Sequence, residues 1–338
     1  MRTEAVKVAV VGVGYLGRFH AEKYARLKNA ELVGVVDVDA ERARAVARDL
    51  GVRAFADHRE LIGLVQAASV VTPTVDHHRV ASDLLAGGLD VLCEKPITST
   101  LEEANSLVSL AQAGERILQV GHLERFNPAV EELLKRVRNP LFIECNRIAP
   151  FKARATDVDV ALDLMIHDLD IILSLVGAEP REIRAVGVPV LGPHADIVNA
   201  RLEFPGGCVA NVTASRLALK DERKMRVFQP DAYLSLDFKK RKLLVVNGVE
   251  YKPGRIPKVD SERPRFGKSD PLEEEIKSFL ESVRTRRPPR VGGAEGRRAL
   301  ACALSVRGCV QEGLCGRESM LEAPRRWVDA QLPGENQA

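Results

Sequence analysis

The 338-residue sequence contains no apolar run of 18 residues, and its opening MRTEAVK leads into a strand-like segment without the apolar core of a signal peptide. We therefore expect neither a membrane-spanning helix nor a secretory leader, and we expect a cytoplasmic protein. Charge of one sign is not in excess, since 50 Lys and Arg balance 47 Asp and Glu to a net +3. This balance argues against nucleic acid or a membrane surface as a partner.

Paired cysteines and metal-ligand spacings are missing as well. The six cysteines form no CxxC motif and mostly lie in apolar runs, so we expect free buried thiols rather than disulfides or metal ligands. No helix-turn-helix pattern or basic stripe is present. The length leaves room for two domains, each with its own core.

The segment from Val6 to Ala21 carries the strongest functional signal. A β-branched apolar run breaks into a GxGxxG pattern, made by Gly12, Gly14 and Gly17, and resumes as a helix-forming sequence. In such a cradle the first glycine permits a tight turn and the second leaves room for a pyrophosphate. The third lets the helix lie close to the strand, with its N-terminus facing the anion.

A second apolar strand ends in an acid at the expected distance. Glu31 to Val36 is followed by Asp37, 20 residues after Gly17. A carboxylate there can accept hydrogen bonds from both ribose hydroxyls and would repel a 2′-phosphate, which predicts NAD rather than NADP. The nearest arginine, Arg42, lies beyond Asp39, and we do not expect it to clamp a phosphate.

Strand-like and helix-like segments continue to alternate after this acid, which predicts a doubly wound parallel sheet. Ligands bind beyond the carboxyl ends of the strands in such sheets, so the residues that close each strand should line one crevice. Those closing residues are Thr72-Pro73-Thr74, Glu94-Lys95-Pro96 and Gly121-His122. His77 follows the first of them and is expected to pack or hydrogen-bond near the cofactor.

The composition changes after Pro128. Strand-like runs between Leu141 and Val246 predict an open, mainly antiparallel sheet, interrupted by a helix from Val158 to Val176. The Pro-rich segment from Tyr251 to Pro271 is expected to be a solvated loop, with a lid or a subunit contact as alternatives. Two helices follow, Leu272 to Arg284 and Gly293 to Glu312. The predicted organisation is a Rossmann domain (1–123), an α+β substrate-binding and oligomerisation domain (124–332) and a disordered tail (333–338).

Lys95 is the first candidate for chemistry. It follows an apolar strand and precedes Pro96, which fixes the backbone at the mouth of the crevice. An ammonium held there can hydrogen-bond a substrate hydroxyl and stabilise a developing alkoxide. The alternative is an ordinary solvated lysine paired with Glu94.

The helix after Val158 carries the second candidate. Asp163, His167 and Asp170 share one face, so the Asp163 carboxylate can reach the imidazole, fix its tautomer and raise its basicity. The alternative is a satisfied histidine beside acids that serve solubility or capping. Asp168 is expected to be structural, and no second histidine stands at metal-ligand spacing, so we predict no metal.

Arg125 and Asn127 open the segment that follows the third strand end. Both could face the nicotinamide or the substrate. Alternatively, Asn127 caps a helix that has Pro128 as its first residue.

Five motifs, GVGYLGRFHA, VTPTVDHH, CEKP, GHLERFNPA and DLMIHDLD, resemble the Gfo/Idh/MocA family of dehydrogenases in order and spacing. The resemblance implies that Lys95, Asp163 and His167 act on a sugar or polyol hydroxyl. It also implies a dimer or tetramer joined through the exposed sheet face. GHLERFNPA, IHDLDI and RLEFPGGCVANVTASR resemble the nucleotide-sugar branch, especially the UDP-N-acetylglucosamine 3-dehydrogenases.

We therefore expect NAD-dependent oxidation of a sugar ring hydroxyl, at C3 of UDP-N-acetylglucosamine. An inositol or free-sugar dehydrogenase and a non-catalytic dinucleotide-binding regulator are the alternatives. The expected cofactor contacts are Gly12, Gly14, Tyr15, Leu16, Gly17, Asp37, Thr72, Pro73, Thr74, His77, Glu94, Lys95 and Arg125. The expected substrate contacts are Lys95, Asn127, Lys152, Arg154, Asp163 and His167. Arg147, Lys152 and Arg154 either hold the pyrophosphate or are solvated loop cations.

Overall fold

The computed structural model of the chain describes residues 5–151, 159–247 and 260–315. The predicted tail and the two predicted substrate contacts Lys152 and Arg154 lie outside these ranges. Within them, no helix is long and apolar enough to cross a membrane.

The first half of the chain forms a parallel six-stranded sheet in the order β3-β2-β1-β4-β5-β6. Its strands are β1 (Val6–Val11), β2 (Ala30–Val36), β3 (Arg53–Phe55), β4 (Ala67–Val70), β5 (Asp90–Glu94) and β6 (Leu118–Gly121). Helices α1 (Tyr15–Arg26), α2 (Ala40–Leu50), α3 (Thr74–Ala86) and α4 (Leu101–Ala113) connect them. This order is that of a dinucleotide-binding sheet, so the predicted doubly wound fold is confirmed.

Local sequence explains these elements. Every residue of β4 and β5 is buried, as expected for strands covered by helices on both faces. The side chain of Asp39 accepts the free N–H groups at the start of α2, and Thr100 and Glu103 form a capping box at the start of α4.

A single-turn 3₁₀ helix (Leu123–Phe126) and helix α5 (Pro128–Arg136) lead into the second half. There, eight strands form a sheet in the order β14-β13-β12-β11-β7-β10-β9-β8. They are β7 (Phe142–Ile148), β8 (Glu182–Val188), β9 (Ile197–Glu203), β10 (Val209–Ser215), β11 (Glu222–Gln229), β12 (Ala232–Asp237), β13 (Lys242–Asn247) and β14 (Asp260–Glu262). Among these described strands only the β7–β10 pair is parallel, so the mainly antiparallel sheet is confirmed.

The short strand β14 corrects one prediction. It lies in the Pro-rich segment that was expected to be a solvated loop, and it pairs antiparallel with β13. Its three residues are all exposed, which is why the sequence shows no alternation of apolar and polar positions there.

The helix predicted from Val158 to Val176 is present in its described part, but it is not α-helical throughout. A π-helical turn (Ala161–Met165) precedes α6 (Ile166–Val176), which ends at Gly177 with φ +71°. Met165, Ile166 and Leu169 are fully buried against the sheet.

Helices α7 (Pro271–Thr285) and α8 (Gly293–Cys315) close the described chain. Ile276 and Phe279 of α7 share a buried apolar cluster with Val8 and Val10 of β1. The C-terminal part of the chain therefore packs on the first sheet, and the core of that sheet is not built from residues 1–123 alone. The domain boundaries remain a prediction.

Candidate active site

The glycine turn between β1 and α1 has the geometry of a phosphate cradle. Gly12 has φ +85°, and a Cβ on it would lie 2.7 Å from the carbonyl oxygen of Val71. A Cβ on Gly17 would lie 1.8 Å from the carbonyl oxygen of Gly12, so α1 packs against the turn at a distance only glycine allows. A Cβ on Gly14 would meet nothing within 4 Å. The open side of the cradle therefore faces away from the protein, at the N-terminus of α1, where an anion fits.

Asp37 lies at the carboxyl end of β2, beside this cradle. Its Oδ2 accepts the Val13 N–H at 2.8 Å and its Oδ1 accepts the Asp39 N–H at 2.9 Å. Arg42, which is not expected to clamp a phosphate, lies close to both acids: its Nη1 is 3.3 Å from Asp37 Oδ1 and its Nη2 is 3.1 Å from Asp39 Oδ2. The first turn of α2 folds this arginine back over both carboxylates, which the linear sequence does not show.

Two cavities lie along the strand ends, on either side of Thr72 and Pro73. One, of about 460 Å³, is lined by Gly12, Gly14, Asp37, Arg42 and His58 among others. The other, of about 530 Å³, is lined by Leu16, Thr72, Pro73, Thr74, His77, Glu94, Lys95 and Asp163 among others. His77 is buried, and its two ring nitrogens lie 2.9 Å from the carbonyl oxygens of Pro96 and Thr72. The structure thus brings most of the predicted cofactor contacts together, with Tyr15 exposed at the start of α1.

Lys95 joins the two halves of the molecule. Its Nζ donates to the main-chain oxygen of Asp163 at 2.7 Å and to the Oδ1 of the same residue at 3.2 Å. The alternative of a solvated lysine paired with Glu94 is wrong, because the ammonium points to the second half of the chain. An ammonium has three N–H donors, so one remains after these two bonds.

The predicted pairing of Asp163 with His167 is wrong. Asp163 lies in the π-helical turn and His167 in α6, so the residues between them are wound more widely than in an α-helix and the i, i+4 contact is lost. The carboxylate bonds Lys95 instead. Nδ1 of His167 is buried without a hydrogen-bond partner among the described residues. Burial, and then the positive charge of Lys95, lower the pKa of His167 well below its usual range.

His122 belongs to the same group, although the sequence predicted only that it lines the crevice and gave it no chemical role. Gly121 of β6 lies opposite Glu94 of β5, so His122 and Lys95 leave neighbouring strands at the same level. The His122 ring meets the His167 ring edge-on, with 6.2 Å between centroids. Neither of its nitrogens has a partner in the described parts of the chain, and burial lowers its pKa.

Arg147 is not available to hold a pyrophosphate. Its Nε and Nη2 donate to the two carboxylate oxygens of Asp168 at 2.8 and 2.7 Å, and its Nη1 donates to Glu124 at 3.2 Å. Arg147 is 3% exposed and Asp168 is fully buried. The pair ties β7 to α6, which confirms the structural role expected for Asp168.

Arg125 and Asn127 differ in what they offer a ligand. Arg125 is buried, with Nε 3.8 Å from Asp170 Oδ2, and neither its Nε nor its Nη1 makes a hydrogen bond to a described residue. Asn127 is the N-cap of α5: Oδ1 accepts the Ala129 N–H, while Nδ2 donates to the Phe238 carbonyl at 3.1 Å. The expected substrate contact of Asn127 is therefore replaced by the capping role.

Glu94 was expected to contact the cofactor, but its carboxylate is engaged elsewhere. Oε1 lies 3.1 Å from His20 Nε2, and Oε2 accepts the main-chain N–H of Lys95 at 3.2 Å. Glu94 therefore lines the second cavity, while both of its carboxylate oxygens are bonded within the protein.

The comparisons with known proteins agree with this geometry. Residues 6–122 match the oxidoreductase family with an NAD-binding Rossmann fold, and residues 146–234 match the GFO/IDH/MocA C-terminal domain. The chain belongs to the Gfo/Idh/MocA family of oxidoreductases. It is an NAD-binding enzyme of that family.

Among its relatives, the UDP-N-acetylglucosamine 3-dehydrogenase of Acidithiobacillus ferrooxidans is 44% identical over 308 residues, which cover 90% of this chain and 97% of the relative. A solved structure of that enzyme superposes with a TM-score of 0.87 at 43% identity, covering 92% of this chain and 99% of the other. The myo-inositol 2-dehydrogenase of Thermotoga maritima is 26% identical over 332 residues, covering 91% and 97% of the two chains.

Proposed function

We propose that this protein oxidises the C3 hydroxyl of UDP-N-acetylglucosamine to a ketone, with NAD as hydride acceptor. The observation that carries the chemistry is the contact of the Lys95 ammonium with Asp163, beside the imidazoles of His122 and His167. The similarity to the enzyme from Acidithiobacillus ferrooxidans supports the choice of substrate.

The chain's own residues fit NAD. Gly12, Gly14 and Gly17 would hold the pyrophosphate at the start of α1, and Asp37 would accept hydrogen bonds from the ribose. When bound, NAD supplies the hydride acceptor. The two buried guanidinium nitrogens of Arg125 that lack partners among the described residues are suited to donate to a carbonyl oxygen of the cofactor or the substrate.

Lys95 would act on the oxygen of the reacting hydroxyl. Its two hydrogen bonds to Asp163 fix the ammonium in place and leave one N–H to donate. A fixed donor aimed at an oxygen that becomes negative stabilises the charge as it develops. Asp163 thus orients the lysine rather than the histidine.

His167 would accept the proton of the hydroxyl. Its lowered pKa keeps the imidazole neutral, with one nitrogen able to accept, throughout the physiological range. His122 lies edge-on to it and is also kept neutral, so it can hydrogen-bond the sugar beside the reacting carbon. Both ring nitrogens of His122 and Nδ1 of His167 are buried without a partner among the described residues, which is costly unless a ligand completes their hydrogen bonds.

Binding the diphosphate of the nucleotide sugar requires a cationic side chain, and Arg147 is already paired with Asp168 and Glu124. Arg223 of β11 lies opposite Arg147 in the sheet register, so both side chains point to the face that carries α6. Its Nε is buried without a partner among the described residues, and its charge acts on His167. Arg223 is therefore our candidate for the nucleotide diphosphate, together with Lys152 and Arg154 from the sequence.

A substrate panel tests the proposed function. The protein is incubated with NAD and, separately, UDP-N-acetylglucosamine, free N-acetylglucosamine, myo-inositol and glucose, and formation of reduced cofactor is followed. We expect the largest kcat/KM with UDP-N-acetylglucosamine. A larger value with myo-inositol would favour the inositol dehydrogenase alternative, and NAD binding without turnover of any substrate would favour a regulator.

The remaining expectations about assembly and location form part of the proposal. We propose a homodimer or homotetramer joined through the outer face of the eight-stranded sheet, and a cytoplasmic location. Light scattering of the purified protein tests the first, and fractionation of the source cells tests the second.

A further inference from the structure

A buried chain of hydrogen bonds runs through the first sheet and ends at the main chain of Lys95. Tyr24 Oη lies 2.9 Å from Ser69 Oγ, which in turn lies 3.3 Å from His20 Nδ1. The other ring nitrogen of His20 is 3.1 Å from Glu94 Oε1, and Glu94 Oε2 accepts the Lys95 N–H. Glu94 is therefore the link between α1 and the backbone that carries the catalytic ammonium.

A second carboxylate, from much later in the sequence, lies beside this chain of hydrogen bonds. Glu275 of α7 is fully buried, and neither of its oxygens has a hydrogen-bond partner among the described residues. One ligand atom from each of His20, Glu94 and Glu275 lies within 4.8 Å of the others. The buried Oε1 of Gln119 also lacks a partner in the described parts of the chain, while its amide Nε2 donates to the main-chain carbonyl of Glu275.

Two ionised carboxylates at this distance, both out of water, would repel each other strongly, so one of them must hold a proton. Glu94 has compensation for a negative charge: burial opposes it, but the hydrogen bond from His20 and the charge of Lys95 leave its pKa lowered. Glu275 has no such compensation among the described residues. Its burial, and to a lesser extent the negative charge of Glu94, raise its pKa well above the usual range. The proton therefore resides on Glu275.

We propose that Glu275 is a positioning residue for Lys95: as a neutral carboxylic acid it leaves Glu94 the single anion of the cluster, free to hold both His20 and the Lys95 main chain. This role rests on the part given to Lys95 in the proposed function. It makes α7, nearly 180 residues after Lys95, part of the active-site support. A divalent cation held by His20 and two ionised carboxylates is the competing explanation, and it needs Glu275 charged.

Three variants test the inference by activity. Glu275→Leu removes the acid, and Glu275→Gln keeps a neutral polar group of the same shape. Glu274→Gln changes a half-exposed neighbour on the same helix. We expect Glu275→Leu to lower kcat about 10- to 100-fold, because displaced catalytic groups cost rates of that order, with the KM for both substrates little changed. Glu275→Gln should restore most of that loss, and Glu274→Gln should match the wild type.

Infrared spectroscopy and metal analysis test the protonation state directly. The difference spectrum between the wild type and Glu275→Gln at neutral pH should show the carbonyl stretch of a protonated carboxylic acid in the wild type alone. A carboxylate band in its place, or stoichiometric divalent metal in the wild type that Glu275→Gln lacks, would overturn the inference.

Two activity results separate this inference from the proposed function. A lower melting temperature with unchanged kcat in Glu275→Leu would make Glu275 merely structural and overturn the positioning role. Wild-type turnover in Lys95→Met would instead refute the proposed function. The infrared band would still show whether Glu275 is protonated.

Discussion

Asp37→Ser should change the cofactor preference from NAD toward NADP, because the structure places Arg42 in contact with the Asp37 carboxylate. The Asp37 carboxylate accepts the Val13 and Asp39 N–H groups and stands where a ribose would lie. Arg42, 3.3 Å away, is held over it by charge. Removing the carboxylate deletes the ribose acceptor and frees this arginine to meet a 2′-phosphate.

The size of the change follows from two effects. A hydrogen bond to a charged group contributes about 1.5–3 kcal/mol, which is lost for NAD. Two like charges about 4 Å apart near a protein surface repel by up to about 4 kcal/mol, which is relieved for NADP. Together these reach at most about 5.5–7 kcal/mol, or about 10⁴–10⁵ in the ratio of kcat/KM for NAD to kcat/KM for NADP.

Steady-state kinetics with each cofactor at fixed substrate measures this ratio. Asp39→Asn is the matched control, since it removes a charge two residues away and keeps an amide that can cap α2. Circular dichroism checks folding, because the Val13 and Asp39 N–H groups lose an acceptor at a cost of about 1–3 kcal/mol. An unchanged ratio in folded Asp37→Ser, or an equal change in Asp39→Asn, would refute the reasoning.

Three further predictions concern the site and its support. Lys95→Met and His167→Asn should each lower kcat about 10²- to 10⁴-fold with the Kd for NAD unchanged, measured by kinetics and calorimetry; wild-type turnover in both would remove the assignment. Arg147→Met leaves the Asp168 carboxylate buried and unpaired, so we expect a loss of about 3–5 kcal/mol and a Tm lower by about 6–20 °C in a thermal melt; an unchanged Tm would contradict the structural role. Burial lowers the pKa of His122 and of His167 below 6.5, so below that pH the unfolded chain binds protons that the folded chain does not. The contribution of these histidines to the free energy of unfolding should therefore be fully present above pH 6.5 and be lost as the pH falls. Replacing both histidines by Asn should reduce this loss of stability at acidic pH, as measured by denaturant titrations.

The sequence predicts the first half of the fold well because its signals are local. Strand, glycine turn, helix and acid follow one another within 37 residues, and each is set by steric or hydrogen-bonding demands that the residue type reveals. The antiparallel strands of the second sheet were also visible, as β-branched runs joined by turns such as Pro205-Gly206-Gly207. The exposed strand β14 has no such pattern.

The site is predicted less completely because its contacts depend on pairings between distant segments. Asp163 lies in a π-helical turn and contacts Lys95 rather than His167. The residue spacing of a regular α-helix does not predict this contact. Arg147 was interpreted as a pyrophosphate ligand or a solvated loop cation, because the sequence does not show that β7 and α6 place it against Asp168. The role of Glu275 depends on α7 returning to the first sheet, which periodicity alone does not indicate.

The central claim is that this crevice removes hydrogen from C3 of a nucleotide sugar by means of Lys95 and His167. The most direct measurement uses UDP-N-acetylglucosamine carrying deuterium at C3, with NAD, and follows the label by mass spectrometry. We predict that deuterium appears in the reduced cofactor and that a 3-keto sugar forms, and that neither happens with Lys95→Met. Reduced cofactor without the label, or no reduced cofactor at all, would contradict the account.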